Sequence, residues 1–381
     1  MAVQGTCDEK FENLRSLLQQ NVESGEELGA SIAVNIDGKD VVDIWGGYVD
    51  ETRTRPWQRD TIVNVFSTTK AISSLATLML VDRGLLDVDE NVCKYWPEFG
   101  VNGKEDIKVR HFLSHTSGIS GWDDQMTMQD ICDVEKSTAK LAQQRPWWIP
   151  GTASGYHVFT FGHLLGELVR RTTGKTLKQF VAEEIAGPLN ADFQIGALEK
   201  DWPRVSNIVP APPPTEAPMF EPNSVPAKSL ANPVADANFA NTSTWRLAEI
   251  GAANGHGNAH AVARICSTIT LGGEVDGIPL SKKTIDLIFK EQARGIDLVL
   301  GVPIRFGIGF GFVGDGDMFV DDWLPSGRVC FWGGWGGSCI IMDLDRRVTI
   351  SYVMNKMSNE GLGSDIAKMY VKTVYTALKD V

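Results

Sequence analysis

The chain has 381 residues, 43% hydrophobic and 22% charged, which is enough apolar material for a large core and the composition of an enzyme-sized globule. Its formal net charge of −12 is spread along the sequence without a basic block, which argues against nucleic acid or an anionic membrane surface as partner. Cys7, Cys93, Cys132, Cys266, Cys330 and Cys339 form no CxxC pair and have no histidines at metal spacing, so no metal site or other cofactor is expected and reduced thiols are the simpler reading. No apolar stretch opens the chain as a signal peptide would, and no run approaches the ~20 residues of a membrane span, so the expected location is the cytoplasm.

In chain order, Phe11, Leu14, Leu17, Leu18 and Val22 recur at helical spacing before Gly25, predicting an amphipathic helix over 8–22. Residues 31–36 and 41–45 then flank Asp37-Gly38, a strong hairpin signal. From Ser67 the text turns helical: Ala71 to Val81 is apolar on nearly every face, as in a helix buried within a domain, and Asp82-Arg83-Gly84 supplies its stop. Further helices are expected near 108–114, 126–143, 159–173 and 176–186.

The segment 203–244 is rich in proline, including Val209 to Pro214, and can be neither regular helix nor inner strand; it reads as a lid or a wrapping loop. A helix near 257–271 precedes strand-like text at 309–313, 329–332, 339–343 and 348–353, and an amphipathic helix over 365–379 closes the chain. The expected fold is therefore α+β: an antiparallel sheet flanked by N- and C-terminal helices, assembled from residues 1–66 and 300–381, with a mostly helical subdomain, 67–299, inserted between them.

Two SxxK spacings occur, and three residues on a helix bring a hydroxyl and an amine to one face. Ser137 and Lys140 lie among charges and read as a solvated helical face, which gives a lysine no shelter in which to lose its proton. Ser67 and Lys70 open the buried helix, where burial lowers the pKa of an amine and the helix N-terminus favours a developing oxyanion. The structural alternative is an N-cap serine beside a snorkelling lysine. Further along stand Tyr156, in Pro150-Gly-Thr-Ala-Ser-Gly-Tyr156-His157-Val158, and the run Trp332-Gly333-Gly334-Trp335-Gly336-Gly337-Ser338.

With these motifs in this order, together with Leu113-Ser-His-Thr-Ser-Gly118 and Asn254-Gly-His-Gly-Asn258, the chain resembles the serine β-lactamase and penicillin-binding-protein superfamily from about residue 27 to its C-terminus. Within it the likeness is greatest to family VIII carboxylesterases and lovastatin-type acyltransferases. The resemblance implies a catalytic Ser67, Lys70 and Tyr156, with Trp332-Gly333-Gly334 in the place of the KTG motif and an active site between the sheet and helical parts. By the same analogy the oxyanion would be held by the backbone N–H groups of Ser67 and Trp335, and Trp332, Gly333, Gly334 and His157 would line the substrate pocket.

Two departures shape the expected activity. Val158 stands where the YxN motif has its amide, and Trp332 where KTG has its lysine, so two contacts that would recognise a lactam or a peptide carboxylate are missing. Ester hydrolysis of a small molecule through an acyl-enzyme on Ser67 is thus expected. Acyl transfer to a metabolite hydroxyl is the alternative, and β-lactamase or D-alanyl peptidase activity ranks below both. No GxSxG occurs, which disfavours an α/β-hydrolase. His115 and His256 are expected to be structural, and His157, next to Tyr156, should point away from it on an extended segment.

Overall fold

A computed structural model describes residues 2–213, 220–275 and 277–379. Residues 214–219 of the proline-rich segment lie outside that set. The sheet has nine strands: β1 (Gln4–Cys7), β2 (Gly29–Ile36), β3 (Lys39–Gly47), β4 (Ala293–Ile296), β5 (Pro303–Phe306), β6 (Gly311–Phe312), β7 (Val329–Gly333), β8 (Cys339–Asp343) and β9 (Val348–Met354). Their spatial order is β1-β3-β2-β9-β8-β7-β6-β5-β4, antiparallel throughout, so β2 from the N-terminal end pairs directly with β9 from the C-terminal end. The hairpin between β2 and β3 turns through Asp37 (φ 50°) and Gly38 (φ 83°), two left-handed residues whose twist matches that of the strands.

Strands β2 and β9 are buried along nearly their whole length because both sheet faces are covered. Side chains alternate across a strand. On β9, Tyr352 packs its ring 5.1 Å from Tyr370 of the C-terminal helix (Asp365–Lys379), on the face also covered by the N-terminal helix, Glu12–Ser24. Thr349, of the other parity, bonds Thr270 at 2.7 Å, at the end of the helix Ala259–Thr270.

The helical stretch departs from the sequence reading in three places. Ala259–Thr270 packs on the sheet rather than among the other helices, and the edge strand β4 begins at Ala293, before the expected boundary. The helix expected over 126–143 starts only at Val134, because the Asp133 carboxylate caps it by accepting from the Lys136 N–H. Ser137, expected on a solvated face, is buried and donates to the Asp130 carbonyl at 3.0 Å, while Lys140 pairs with Asp124 at the surface. This second SxxK therefore brings no nucleophile and amine together.

The helix Thr69–Asp82 is the centre of the molecule, buried from Thr69 to Leu80 between Thr160–Thr173 on one side and Ala259–Thr270 on the other. A small antiparallel sheet of Val63–Asn64, Phe193–Ile195 and Gly255–Gly257 fixes the chain just before it. The start of this helix is thereby fixed at the seam between sheet and helices.

Candidate active site

Ser67 sits in the tight turn Phe66–Thr68 that leads into the central helix. Phe66 takes φ 43°, a left-handed conformation costly for a bulky residue, and the turn keeps it only because the surroundings fix both ends. Ser67 is half-buried, and its N–H comes too early in the turn for an intrahelical partner.

One turn on, Lys70 is 2% exposed, and its Nζ lies 3.2 Å from Ser67 Oγ, 2.8 Å from the Val158 carbonyl and 3.0 Å from the Ala252 carbonyl. Burial holds its pKa well below the usual lysine value, and among the described residues no carboxylate pairs with it. A neutral amine has two N–H groups and one lone pair. In that deprotonated form the two carbonyls would take the N–H groups, leaving the lone pair for the serine hydroxyl.

Tyr156 completes the cluster. Its ring lies 4.6 Å from Lys70 Nζ, and its hydroxyl accepts from Trp332 Nε1 at 3.4 Å. Burial pushes the phenol above its ordinary pKa, with a hydrogen bond to the Ser67 side chain working in the opposite direction. Burial thus lowers the lysine and raises the tyrosine, the directions that a base and an acid sharing one site would need.

The glycine-rich turn after β7 closes the site from the sheet side. Gly334 donates to the Ser338 carbonyl at 2.7 Å and Gly337 to the Gly334 carbonyl at 3.1 Å, leaving the Trp335 N–H at the tip with no protein acceptor among the described residues. Ser338 Oγ donates to the Val65 carbonyl at 2.9 Å and lies 3.0 Å from Thr68 Oγ1, which clasps this turn to the nucleophile turn. A Cβ on Gly334 would meet Val65 O and Ser338 Oγ, each at 2.3 Å, so only glycine permits this approach.

A cavity of about 640 Å³ opens on Ser67, Tyr156, Gly333 and Gly334. Its walls include Met128, Val158, Phe159, Trp245 and Leu300, and the stretch 220–240 adds Phe220, Leu230 and Val234. The described part of the proline-rich segment is thus a wall of the pocket. Asp236, at the exposed rim, is the one charged residue on the lining among the described residues, and no described lysine, arginine or histidine faces the space.

Two pocket expectations need correction. His157 is fully buried and turned away: its ring bonds Gly155 O at 2.6 Å and Ser117 Oγ at 2.7 Å, and burial pushes its pKa down to about 3. Trp332 is 3% exposed and touches the site through the Tyr156 hydroxyl rather than lining the cavity, because its indole packs on Tyr156, Phe306 and Phe331. His115 and His256 are buried and neutral, with His115 Nδ1 accepting the His157 N–H at 3.0 Å. Sequence reasoning passed over Ser338, although it ends the quoted glycine-rich run. It also passed over the carbonyls of Val158 and Ala252, which carry no side-chain signature.

Known proteins are similar to this chain in sequence and in fold. The esterase/beta-lactamase LipL of Mycobacterium tuberculosis (strain ATCC 25618 / H37Rv) is 33% identical over 353 residues, 86% of this chain and 77% of that protein. Among solved structures, a family VIII carboxylesterase superposes with a TM-score of 0.91 at 35% identity, over 99% of this chain and 100% of that one. A penicillin-binding protein homolog from Caulobacter crescentus gives 0.90 at 35% identity, with the same coverage of both chains. The family model for beta-lactamase spans residues 14–370, and the chain belongs to the beta-lactamase family.

Proposed function

We propose that the protein is a serine carboxylesterase that cleaves small, predominantly apolar esters through an acyl-enzyme on Ser67. The observation that carries this reading is a cavity that ends on the Ser67–Lys70–Tyr156 cluster and, among the described residues, offers no cation to a substrate carboxylate. A β-lactam or peptidoglycan stem carries such a carboxylate, and burying it without a partner is costly. The similarity to an esterase/beta-lactamase and a family VIII carboxylesterase supports the same reading.

In the proposed mechanism Ser67 gives its proton to neutral Lys70 as Oγ attacks the ester carbonyl carbon, and the N–H groups of Ser67 and Trp335 hold the resulting oxyanion. Collapse breaks the bond to the alcohol oxygen. Tyr156 donates its proton to the departing alkoxide and is reprotonated by the Lys70 ammonium, so the serine proton leaves with the alcohol. Water then attacks the acyl-enzyme through the same groups and releases the acid. The six unpaired cysteines fit a reducing, cytoplasmic setting, and among the described residues no helix is long and apolar enough to cross a membrane.

The test is a panel of p-nitrophenyl esters of increasing acyl length, run with the wild type and Ser67→Ala, with intact mass spectrometry of the quenched reaction. Turnover and an acyl adduct on Ser67, both abolished in the variant, are expected. Turnover that survives in folded Ser67→Ala rejects the proposal. Adding a competing alcohol and analysing products separates hydrolysis from acyl transfer.

A further inference from the structure

Asp297 is fully buried, yet it carries a carboxylate. Its Oδ1 accepts three backbone N–H groups, from Tyr156 at 3.0 Å and from Val299 and Leu300 at 2.9 Å each. Its Oδ2 is also buried and meets no partner among the described residues. Two of the bonds are local and form the turn 297–301, which the Gly301 N–H closes onto the Asp297 carbonyl. The third reaches 141 residues back along the chain, to the backbone of the tyrosine in the reactive cluster. The same turn also docks on the Tyr156 loop through the Leu298 N–H and the Ser154 carbonyl, 2.9 Å apart, and presents Leu300 to the cavity.

A turn alone needs only a short polar side chain. A buried carboxylate that also spans to another loop serves a demand beyond the turn, since its burial is costly without good compensation. We infer that Asp297 is a positioning residue for the reaction: by anchoring the Tyr156 backbone it sets the phenol where it can protonate the leaving alkoxide. This rests on the esterase reading above. Tyr156 is faced by Lys70 on the central helix, by Ser67, by the His115 ring at 5.0 Å and by Trp332, and none of these bonds its backbone N–H. Asp297 is thus the acceptor for the Tyr156 N–H itself, while His115 holds the flanking main chain through its carbonyl, 2.9 Å from the Gly155 N, and through Nδ1, 3.0 Å from the His157 N.

The leaving group distinguishes this role from general damage. An alkyl alkoxide needs a proton in order to depart, whereas p-nitrophenolate does not. Asp297→Ser keeps a short acceptor for the Val299 and Leu300 N–H groups but cannot reach Tyr156, so the turn survives and the anchor is lost. Wild type, Asp297→Ser, Asp297→Asn and Tyr156→Phe are assayed on a p-nitrophenyl ester and an ethyl ester of the same acid, with thermal melting as the control for folding.

Asp297→Ser is expected to lose about tenfold or more in kcat on the ethyl ester and less than about threefold on the p-nitrophenyl ester, with KM little changed, the pattern also expected of Tyr156→Phe. Asp297→Asn retains Oδ1 and is expected to restore the ethyl-ester rate to within about threefold of wild type. Equal losses on the two esters, or no loss on either in a folded variant, overturn the assignment. If Asp297→Ser does not fold, Asp297→Asn decides alone, and a selective ethyl-ester loss there despite retained folding overturns it. A wild type inactive on both esters refutes the esterase reading itself, a result distinct from any ratio among the variants.

Discussion

Adding one methyl group at Gly334 tests the oxyanion site directly. The new Cβ would lie 2.3 Å from Val65 O and 2.3 Å from Ser338 Oγ, and 3.3 Å from the Phe66 Cβ. Ser338 can rotate away, though only by giving up its bonds to Val65 and Thr68; the Val65 carbonyl is backbone and cannot. Restoring an ordinary contact of 3.4 Å therefore requires the glycine-rich turn and the nucleophile turn to separate by about 1 Å. The two N–H groups proposed to hold the oxyanion stand one on each turn, so the displacement falls across the oxyanion hole. Loss of one such donor, or a misplacement of this size, costs about 10²-fold in kcat, equivalent to about 3 kcal/mol of transition-state stabilisation. Gly334→Ala is expected to show that loss with KM changed by less than about threefold, measured on a p-nitrophenyl ester beside a thermal melt. A folded Gly334→Ala with kcat within threefold of wild type would refute the argument that this approach builds the oxyanion hole.

Lys70→Met is expected to lower kcat by about 10²–10⁴-fold while the protein still folds, since methionine fills the buried volume without a base; retention of a tenth of the wild-type rate rejects Lys70 as base. Because burial lowers its pKa, Lys70 loses its proton well below the ordinary lysine range, so kcat/KM should level off well below that range and should fall as acid protonates the amine. A rate still climbing through pH 9–10 contradicts this. At the sheet face, Glu27 is buried against the hydroxyls of Tyr352 at 2.6 Å and Tyr370 at 3.2 Å, and burial raises its pKa from 4.5 to about 7. The folded state thus holds this proton more tightly than the unfolded chain, so its contribution to stability is full below pH 4.5 and declines as pH rises to about 7, by about 3 kcal/mol at most. Glu27→Gln should flatten that decline, melting higher than wild type at pH 8 and converging with it near pH 4.5; parallel curves across the range exclude Glu27 as the source. Finally, an acyl chain ending in a carboxylate should react at least about tenfold more slowly than its neutral isostere, because the described residues lining the cavity include no cation to meet it, and comparison of kcat/KM for the two esters tests this.

What could be read from the residues alone was local or periodic. The hairpin at Asp37-Gly38, the buried helix after Ser67 and the shared face of Ser67 and Lys70 follow from turn chemistry and from side-chain spacing, which act between neighbours. The order of Ser67, Tyr156 and the glycine-rich run was equally visible in the text. Tertiary structure decided the chemistry of each. Lys70 has its pKa lowered by burial among segments far apart in sequence, and its amine is oriented by carbonyls 88 and 182 residues away, main-chain acceptors that leave no trace in a sequence. Ser137 and Lys140 share the spacing of Ser67 and Lys70, but packing buries the serine against Asp130 and leaves the lysine paired with Asp124 at the surface. His157 turned inward, Trp332 packed behind Tyr156 and the stretch 220–240 became a pocket wall for the same reason. Which face a loop residue shows depends on what packs against the loop, and that is fixed only when segments distant in sequence meet across the seam between sheet and helices.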